Sequence, residues 1–193
     1  MNILIKILIV IGALVALLLI AALFIKKEYN ILREITINKP KTEVFGYVKH
    51  LKNQDNYSKW VRMDPNMKKD FRGTDGTVGF IYAWDGNKKA GKGEQEIKKI
   101  AEGERVDVEV RFEKPFEGIA TAPIITEAIS ANETKVKWAM NGKSKYPLNF
   151  MNLFMDDMLG KDLETSLTTL KAFLRNKIIL LWKKKLKEKV PQP

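Results

Sequence analysis

Few residues in this chain could carry acid–base or nucleophilic chemistry. There is no cysteine and a single histidine, His50, so neither a Ser-His-Asp nor a Cys-His set can be assembled. Zinc on His50 would need carboxylate ligands, and the acidic residues show no such clustered spacing. The expected role of His50 is to cap the end of a short helix. Asp156 and Asp157 come nearest to a carboxylate pair, with Asp162 and Glu164 following. Adjacent helical positions point about 100° apart, so these acids read as a solvated face rather than a shared site. The run Gly86-Asn87-Lys88-Lys89-Ala90-Gly91-Lys92-Gly93 matches G-x-x-x-x-G-K but lacks the Ser or Thr that would reach Mg²⁺. It also joins two strands, where a P-loop joins a strand to a helix, and reads as a glycine-rich hairpin. Tyr82 and Glu96 are the weak candidates for a titratable group inside a pocket.

The aromatic and methionine positions offer more. Phe80, Tyr82, Trp84, Phe112, Trp138 and Met140 fall on one face of alternating strands, and Phe150, Met151, Phe154, Met155 and Met158 on a helix facing back. One reading is a filled core, each large residue contributing about 1.5–3 kcal/mol by burial. The other is a cavity wall for a hydrophobic ligand, made adaptable by methionine, with Tyr82 and Trp84 supplying polar contacts. An empty volume below about 300 Å³ would favour the first. The candidate ligand-binding residues are Phe80, Tyr82, Trp84, Phe112, Trp138, Met140, Phe154 and Met158. No catalytic residue, metal or cofactor is expected.

These side chains need a sheet and a helix to position them. Glu28 to Ile37 alternates and predicts a strand. Asn38-Lys39-Pro40 then opens a helix running to about His50, with Val44, Phe45 and Val48 inward. Residues 51–66 read as short helical turns and loop. Strands are predicted at Met67–Phe71, across Val78, Phe80, Tyr82 and Trp84, at Gly91–Ile100, across Val106 to Phe112, at Ile119–Ile129, and around Val136 to Met140. Their alternation implies an antiparallel sheet with one buried and one wet face. After Pro147 the period becomes helical, with Met151, Met155, Leu159, Leu163, Leu167, Leu170 and Leu174 at spacings of four or three. Gly160 inside this helix predicts a bend or a close approach to the sheet.

Ile7 to Ile25 is nineteen residues without a charge or strong polar group. As a helix it spans roughly 28 Å, the thickness of a bilayer's hydrocarbon core. It exceeds a signal-peptide core and lacks an A-x-A site, so a retained anchor is expected ahead of a cleaved signal. Lys6 precedes it, and Lys26, Lys27 and Arg33 follow, which leans towards a cytoplasmic domain on a single-pass membrane protein. The net charge of +11 is concentrated at the ends, with +3 in residues 1–27 and +5 in 177–193. A nucleic-acid reader would carry its basic footprint on the folded domain, so no nucleic acid is expected. The tail Ile178-Ile179-Leu180-Leu181-Trp182 followed by lysines suits a headgroup layer. The expected organisation is 3–25 anchor, 28–176 domain, and 177–193 basic, interfacial tail.

Over residues 28–176 the chain resembles the SRPBCC superfamily, the START-like and polyketide cyclase/dehydrase and lipid-transport domains. The resemblance rests on Ile35-Thr36-Ile37-Asn38-Lys39-Pro40 with Val44-Phe45, and on Trp60 before Asp64-Pro65. It continues through Tyr82-Ala83-Trp84-Asp85-Gly86-Asn87, Phe112-Glu113-Lys114-Pro115-Phe116, Val136-Lys137-Trp138-Ala139-Met140-Asn141-Gly142 and Met158-Leu159-Gly160-Lys161-Asp162-Leu163-Glu164. It implies an α+β helix-grip fold: a curved antiparallel sheet wrapped around a long C-terminal helix, with a cavity between them. The superfamily shares a cavity rather than one chemistry. With the anchor, it implies a membrane-held binding domain for a hydrophobic small molecule or lipid. The alternatives are a cyclase- or dehydratase-type enzyme acting on an apolar substrate, and a non-binding interaction module with a filled core.

Overall fold

The computed structural model describes residues 2–189, with side chains described through Arg175. The first helix, α1 (Ile3–Phe24), is apolar apart from Lys6 in its first turn and almost wholly exposed. Strand β1 (Glu28–Ile37) follows after three residues and is succeeded by α2 (Lys41–Val48), a 3-10 turn (Leu51–Asn56) and α3 (Lys59–Arg62). Then come β2 (Lys68–Arg72), β3 (Ile81–Asp85), β4 (Lys92–Ala101), β5 (Arg105–Lys114), β6 (Gly118–Thr121), β7 (Ile124–Ser130) and β8 (Glu133–Lys143). The chain closes with a 3-10 turn (Leu148–Met151), α4 (Asn152–Met155), a widened π-type turn (Asp156–Gly160) and α5 (Lys161–Lys189). The interfacial reading of residues 177–193 rests on side chains outside the described residues.

Among the described residues the eight strands form one antiparallel sheet in the order β1-β8-β6-β5-β4-β3-β2, with β7 pairing β5 and β8. Register breaks at Lys92/Gly93 and Ile97/Lys99 in β4–β5, and at Ala128/Ser130 in β7–β8, curve the sheet in the way bulges do. Its concave face grips the front of α5, where Leu163, Leu167, Leu170 and Leu174 are buried against Ile31, Val136 and Val108 in one core. This is the helix-grip fold expected from the sequence.

Two predicted elements change. The strand expected over Ile119–Ile129 is two strands, interrupted at Ala122-Pro123, because proline cannot donate to a ladder. Its carbonyl still accepts from Ala139 N at 3.1 Å. Val78, expected on a strand face with Phe80, lies in the preceding loop and is 61% exposed. Phe80 keeps its buried place because Ile97 N donates to its carbonyl at 3.0 Å.

The register places one end of the sheet beside α1. Glu28 pairs Lys143 where β1 begins and β8 ends, and the far strands finish at the same end through Lys92–Lys114, Asp85–Lys92 and Lys68–Asp85. The helix is fastened to this end. Asn149 Nδ2 donates to the carbonyls of Ala22 (2.6 Å) and Ile25 (2.8 Å), and Asn152 Nδ2 to those of Lys26 (2.9 Å) and Lys27 (2.8 Å). Ser144 N adds a bond to Lys27 O at 2.8 Å. The Ala22 carbonyl, left orphaned where α1 ends, and the carbonyls just beyond it are thus satisfied from the segment that follows β8.

Candidate functional site

A cavity of about 110 Å³ lies between the concave face of the sheet and the segment connecting α2 to β2. Strand alternation builds its floor. Tyr82 and Trp84 come from β3, Gln95 from β4, Val110 and Phe112 from β5, and Trp138 and Met140 from β8. The rung Tyr82–Gln95–Val110–Ala120–Gly142 runs across the sheet, and Trp84–Gly93–Phe112–Gly118 lies one step nearer the α1 end. Gly93 is required here, since any side chain would strike the Trp84 ring and the Arg111 carbonyl. The roof comes from Ser58, Trp60, Val61 and Met67, with Leu159 closing from the π-type turn. Trp60 stands edge-on to Trp138, and Trp84 to Phe112, at centroid distances of 5.8 and 6.2 Å.

Five of the eight candidate residues therefore meet around one space: Tyr82, Trp84, Phe112, Trp138 and Met140. Three do not line it. Phe80 is buried in the core, stacked on Phe71. Phe154 and Met158 are 52% and 53% exposed. Each precedes an inward residue, Met155 or Leu159, by one position, which turns it about 100° away. Residues 58–67 contribute walls that carried no periodic signal. Gln95 was legible in principle, because Gly93, Gln95 and Ile97 alternate with charged Glu94, Glu96 and Lys98.

The polar groups expected to orient a ligand are engaged elsewhere. Tyr82 Oη donates to Asp55 Oδ1 at 2.8 Å, and Lys69 Nζ sits 2.8 Å from Asp55 Oδ2. Burial, reinforced by Asp55, pushes the Tyr82 phenol well above its ordinary range. Trp84 Nε1 donates to Ala90 O at 3.2 Å, fixing the β3–β4 hairpin. Gln95 Nε2 donates to Gln54 Oε1 at 3.0 Å within the wall. Glu96 faces away from the cavity on the outer surface, where Arg111 holds it below the usual carboxylate range.

The remaining candidates resolve into surface contacts. His50 does not cap α2; its Nδ1 faces Asp75 Oδ2 at 3.5 Å. Asp156 pairs with Arg33, Asp157 with Lys161 and Asp162 with Lys59. No cluster of three metal-ligating side chains occurs among the described residues.

No family model and no curated protein matches the sequence. Solved structures do. Norcoclaurine synthase from Thalictrum flavum, in complex with dopamine and hydroxybenzaldehyde, has a TM-score of 0.61 at 10% identity, over 77% of this chain and 87% of its own. Ara h 8.0201 has 0.57 at 13% identity, over 77% and 99%. The hypothetical protein jhp0584 from Helicobacter pylori has 0.59 at 9%, over 77% and 88%. At such identities the likeness is one of fold, and all three share the helix-grip arrangement.

Proposed function

We propose that this chain is a membrane-anchored binding domain that holds one small hydrophobic molecule, or the apolar end of a lipid, in the cavity between the sheet and the α2–β2 segment. The observation that carries this reading is position: the Trp84–Gly93–Phe112 rung of the aromatic floor lies next to the sheet end to which α1 is fastened. A ligand leaving a bilayer would have a short way to travel. Exposed Phe116, Leu148, Leu153 and Phe154 come from segments at that same end, and apolar side chains beside an anchor suit the interfacial layer. The charge distribution about α1 supports a cytoplasmic domain.

The volume limits the ligand. About 110 Å³ is well under the roughly 300 Å³ of a drug-sized site. The cavity suits a single ring or a short branched segment rather than a whole lipid. The structural neighbour that carries dopamine and hydroxybenzaldehyde supports the idea that this fold holds compact aromatics. The same volume favours a second reading, a non-binding module whose core is nearly filled. An enzyme reading has less support, since Tyr82 is pinned to Asp55 and Glu96 lies on the other face.

Native mass spectrometry of the full chain, purified in detergent and exposed to lipid extracts, separates the two. The expected result is one small apolar adduct per chain, abolished in Ala122→Leu, which fills the wall from a buried position. A clean unliganded mass across several extracts, with Ala122→Leu merely more stable, would establish the module instead.

A further inference from the structure

The segments that enter and leave the strands differ in charge between the two ends of the sheet. At the α1 end, residues 25–27, 63–67, 86–91, 115–117 and 144–147 hold Lys26, Lys27, Lys88, Lys89 and Lys145 against Asp64 and Glu117. At the opposite end, residues 38–40, 73–80, 102–104 and 131–132 hold Lys39 against Asp75, Glu102 and Glu104. All five lysines at the α1 end are exposed, and none has an ion-pair partner among the described residues. Lys92 and Lys143, within the adjoining strand ends, are paired with Glu113 and Glu28. Asp64 is engaged by the backbone N–H groups of Asn66 and Asn87. The end of the domain nearest the apolar helix is therefore its cationic end.

The same end carries a second, independent observation, which is depth. Tyr146 Oη lies 3.4 Å from the carbonyl oxygen of Leu19, and Asn149 donates to that of Ala22. Leu19 stands six residues before Ile25, about 9 Å back along the helix. Residues 146–149 thus run beside the last turns of α1 rather than beyond its end. With the apolar run of α1 filling the hydrocarbon core as far as Ile25, Tyr146 and Leu148, 44% and 42% exposed, lie below the headgroups. Tyrosine is favoured at that level, and Lys26 and Lys27 then stand among the headgroups. Phe116, 66% exposed, repeats the arrangement on the loop that leaves β5, beside the β3–β4 hairpin with Lys88 and Lys89. Any other partner of this face would compete with the bilayer that α1 already holds there. We propose that the α1 end of the domain docks on an anionic lipid surface, its five lysines in the headgroup layer and Tyr146, Leu148 and Phe116 beneath it. This rests on α1 as a retained anchor and adds the class of lipid to that reading. Docking turns toward the bilayer the hairpin whose Ala90 lines the cavity.

The test reconstitutes the full chain in vesicles of phosphatidylcholine, alone or mixed with phosphatidylserine. The chain has no cysteine, so Phe116→Cys carries a single environment-sensitive fluorophore, read by its colour and by quenching from brominated lipid. The label should report lipid in the mixed vesicles at low salt and water in phosphatidylcholine alone. High salt should release it, because exposed charges are screened. Replacing Lys88 and Lys89 together by Gln should lower the ratio of lipid-facing to water-facing label about 25-fold in the mixed vesicles, at about fivefold per lysine. A label that reports water in both vesicle types, on a chain that still floats with them, overturns the docking while the anchor stands. A label that reports lipid equally in both, indifferent to salt, overturns the anionic requirement. A chain that does not float with either overturns the anchor and the docking together. The comparisons of lipid and of salt need no charge variant, so they decide even where the double variant fails to fold.

Discussion

The guanidinium of Arg33 occupies the space that a side chain on Gly160 would fill. From β1 it reaches over the π-type turn and grips Asp156 with both nitrogens, Nη1 to Oδ1 at 3.0 Å and Nη2 to Oδ2 at 2.9 Å. Nη2 also reaches the Asp156 carbonyl at 3.3 Å. Helix and sheet edge are thus locked where a glycine lets them approach. Gly160→Ala gains up to about 1 kcal/mol of helix propensity and evicts the end of a flexible side chain. Its stability should therefore change by less than about 1 kcal/mol. The visible effect is on Asp156, which Arg33 holds below its ordinary 3.8. A depressed carboxyl stabilises the fold above its unfolded value and loses that contribution as pH falls through the folded one. A carboxyl NMR titration should show Asp156 rising towards 3.8 in Gly160→Ala, as in Arg33→Gln. An unchanged titration would show that the pair does not depend on the glycine.

Tyr57 makes an opposite, alkaline prediction. Burial raises its phenol above the ordinary 10.0, so unfolding releases its proton once pH passes about 10. Its contribution is intact below that value and is lost as pH rises, at up to about 1.4 kcal/mol per pH unit. Tyr82, also raised, acts in the same direction. Tyr57→Phe removes an unpartnered hydroxyl, so its stability at neutral pH should match or exceed that of the unaltered chain. Denaturant midpoints between pH 9 and 11 should fall less steeply in the variant. A parallel fall in both proteins would mean that Tyr57 ionises freely in the fold.

Asn149 is wholly buried and, from the 3-10 turn that follows β8, donates to two carbonyls at the end of α1. Asn149→Ala leaves the Ala22 and Ile25 carbonyls without their donor, a loss of about 1–3 kcal/mol. Thermal unfolding in detergent should show that loss. Hydrogen exchange at residues 22–27 should rise in Asn149→Ala and stay low on β4. A rise spread evenly over the domain would mean that the asparagine supports the whole fold rather than the junction.

Much of this architecture was legible in the pattern of residue types. The alternation of Glu28–Ile37 coincides with β1, and the leucine ladder from Leu163 to Leu174 coincides with the buried face of α5. The floor of the cavity was legible for the same reason: on a strand, identity and orientation share a period of two, so Tyr82, Trp84, Phe112, Trp138 and Met140 could be assigned together. The roof was not. Ser58, Trp60 and Met67 lie in and around the single-turn helix α3, too short for a period to show, where side-chain direction follows tertiary contact. The helix lost its legibility locally, because Phe154 and Met158 are as apolar as the inward Met155 and Leu159. A stripe of apolar residues wider than the buried face cannot be divided by composition alone.

That surplus of apolar residues outside the core is informative about the membrane. Phe154 is 52% exposed beside the junction with α1, and Ile129 is 51% exposed near the opposite end of the sheet, where β7 turns into β8. Equal exposure in water with opposite positions makes them a matched pair. The chain has no cysteine, so Phe154→Cys and Ile129→Cys can each carry a single environment-sensitive fluorophore. With the full chain reconstituted in vesicles, the label at 154 should shift to the blue and be quenched by brominated lipid. The label at 129 should behave as it does in detergent-free buffer controls. If both labels report water, α1 holds the domain away from the bilayer and a ligand must cross the aqueous gap. If both report lipid, the domain lies on its side, and the cavity's place near the α1 end of the sheet no longer explains how a ligand would reach it.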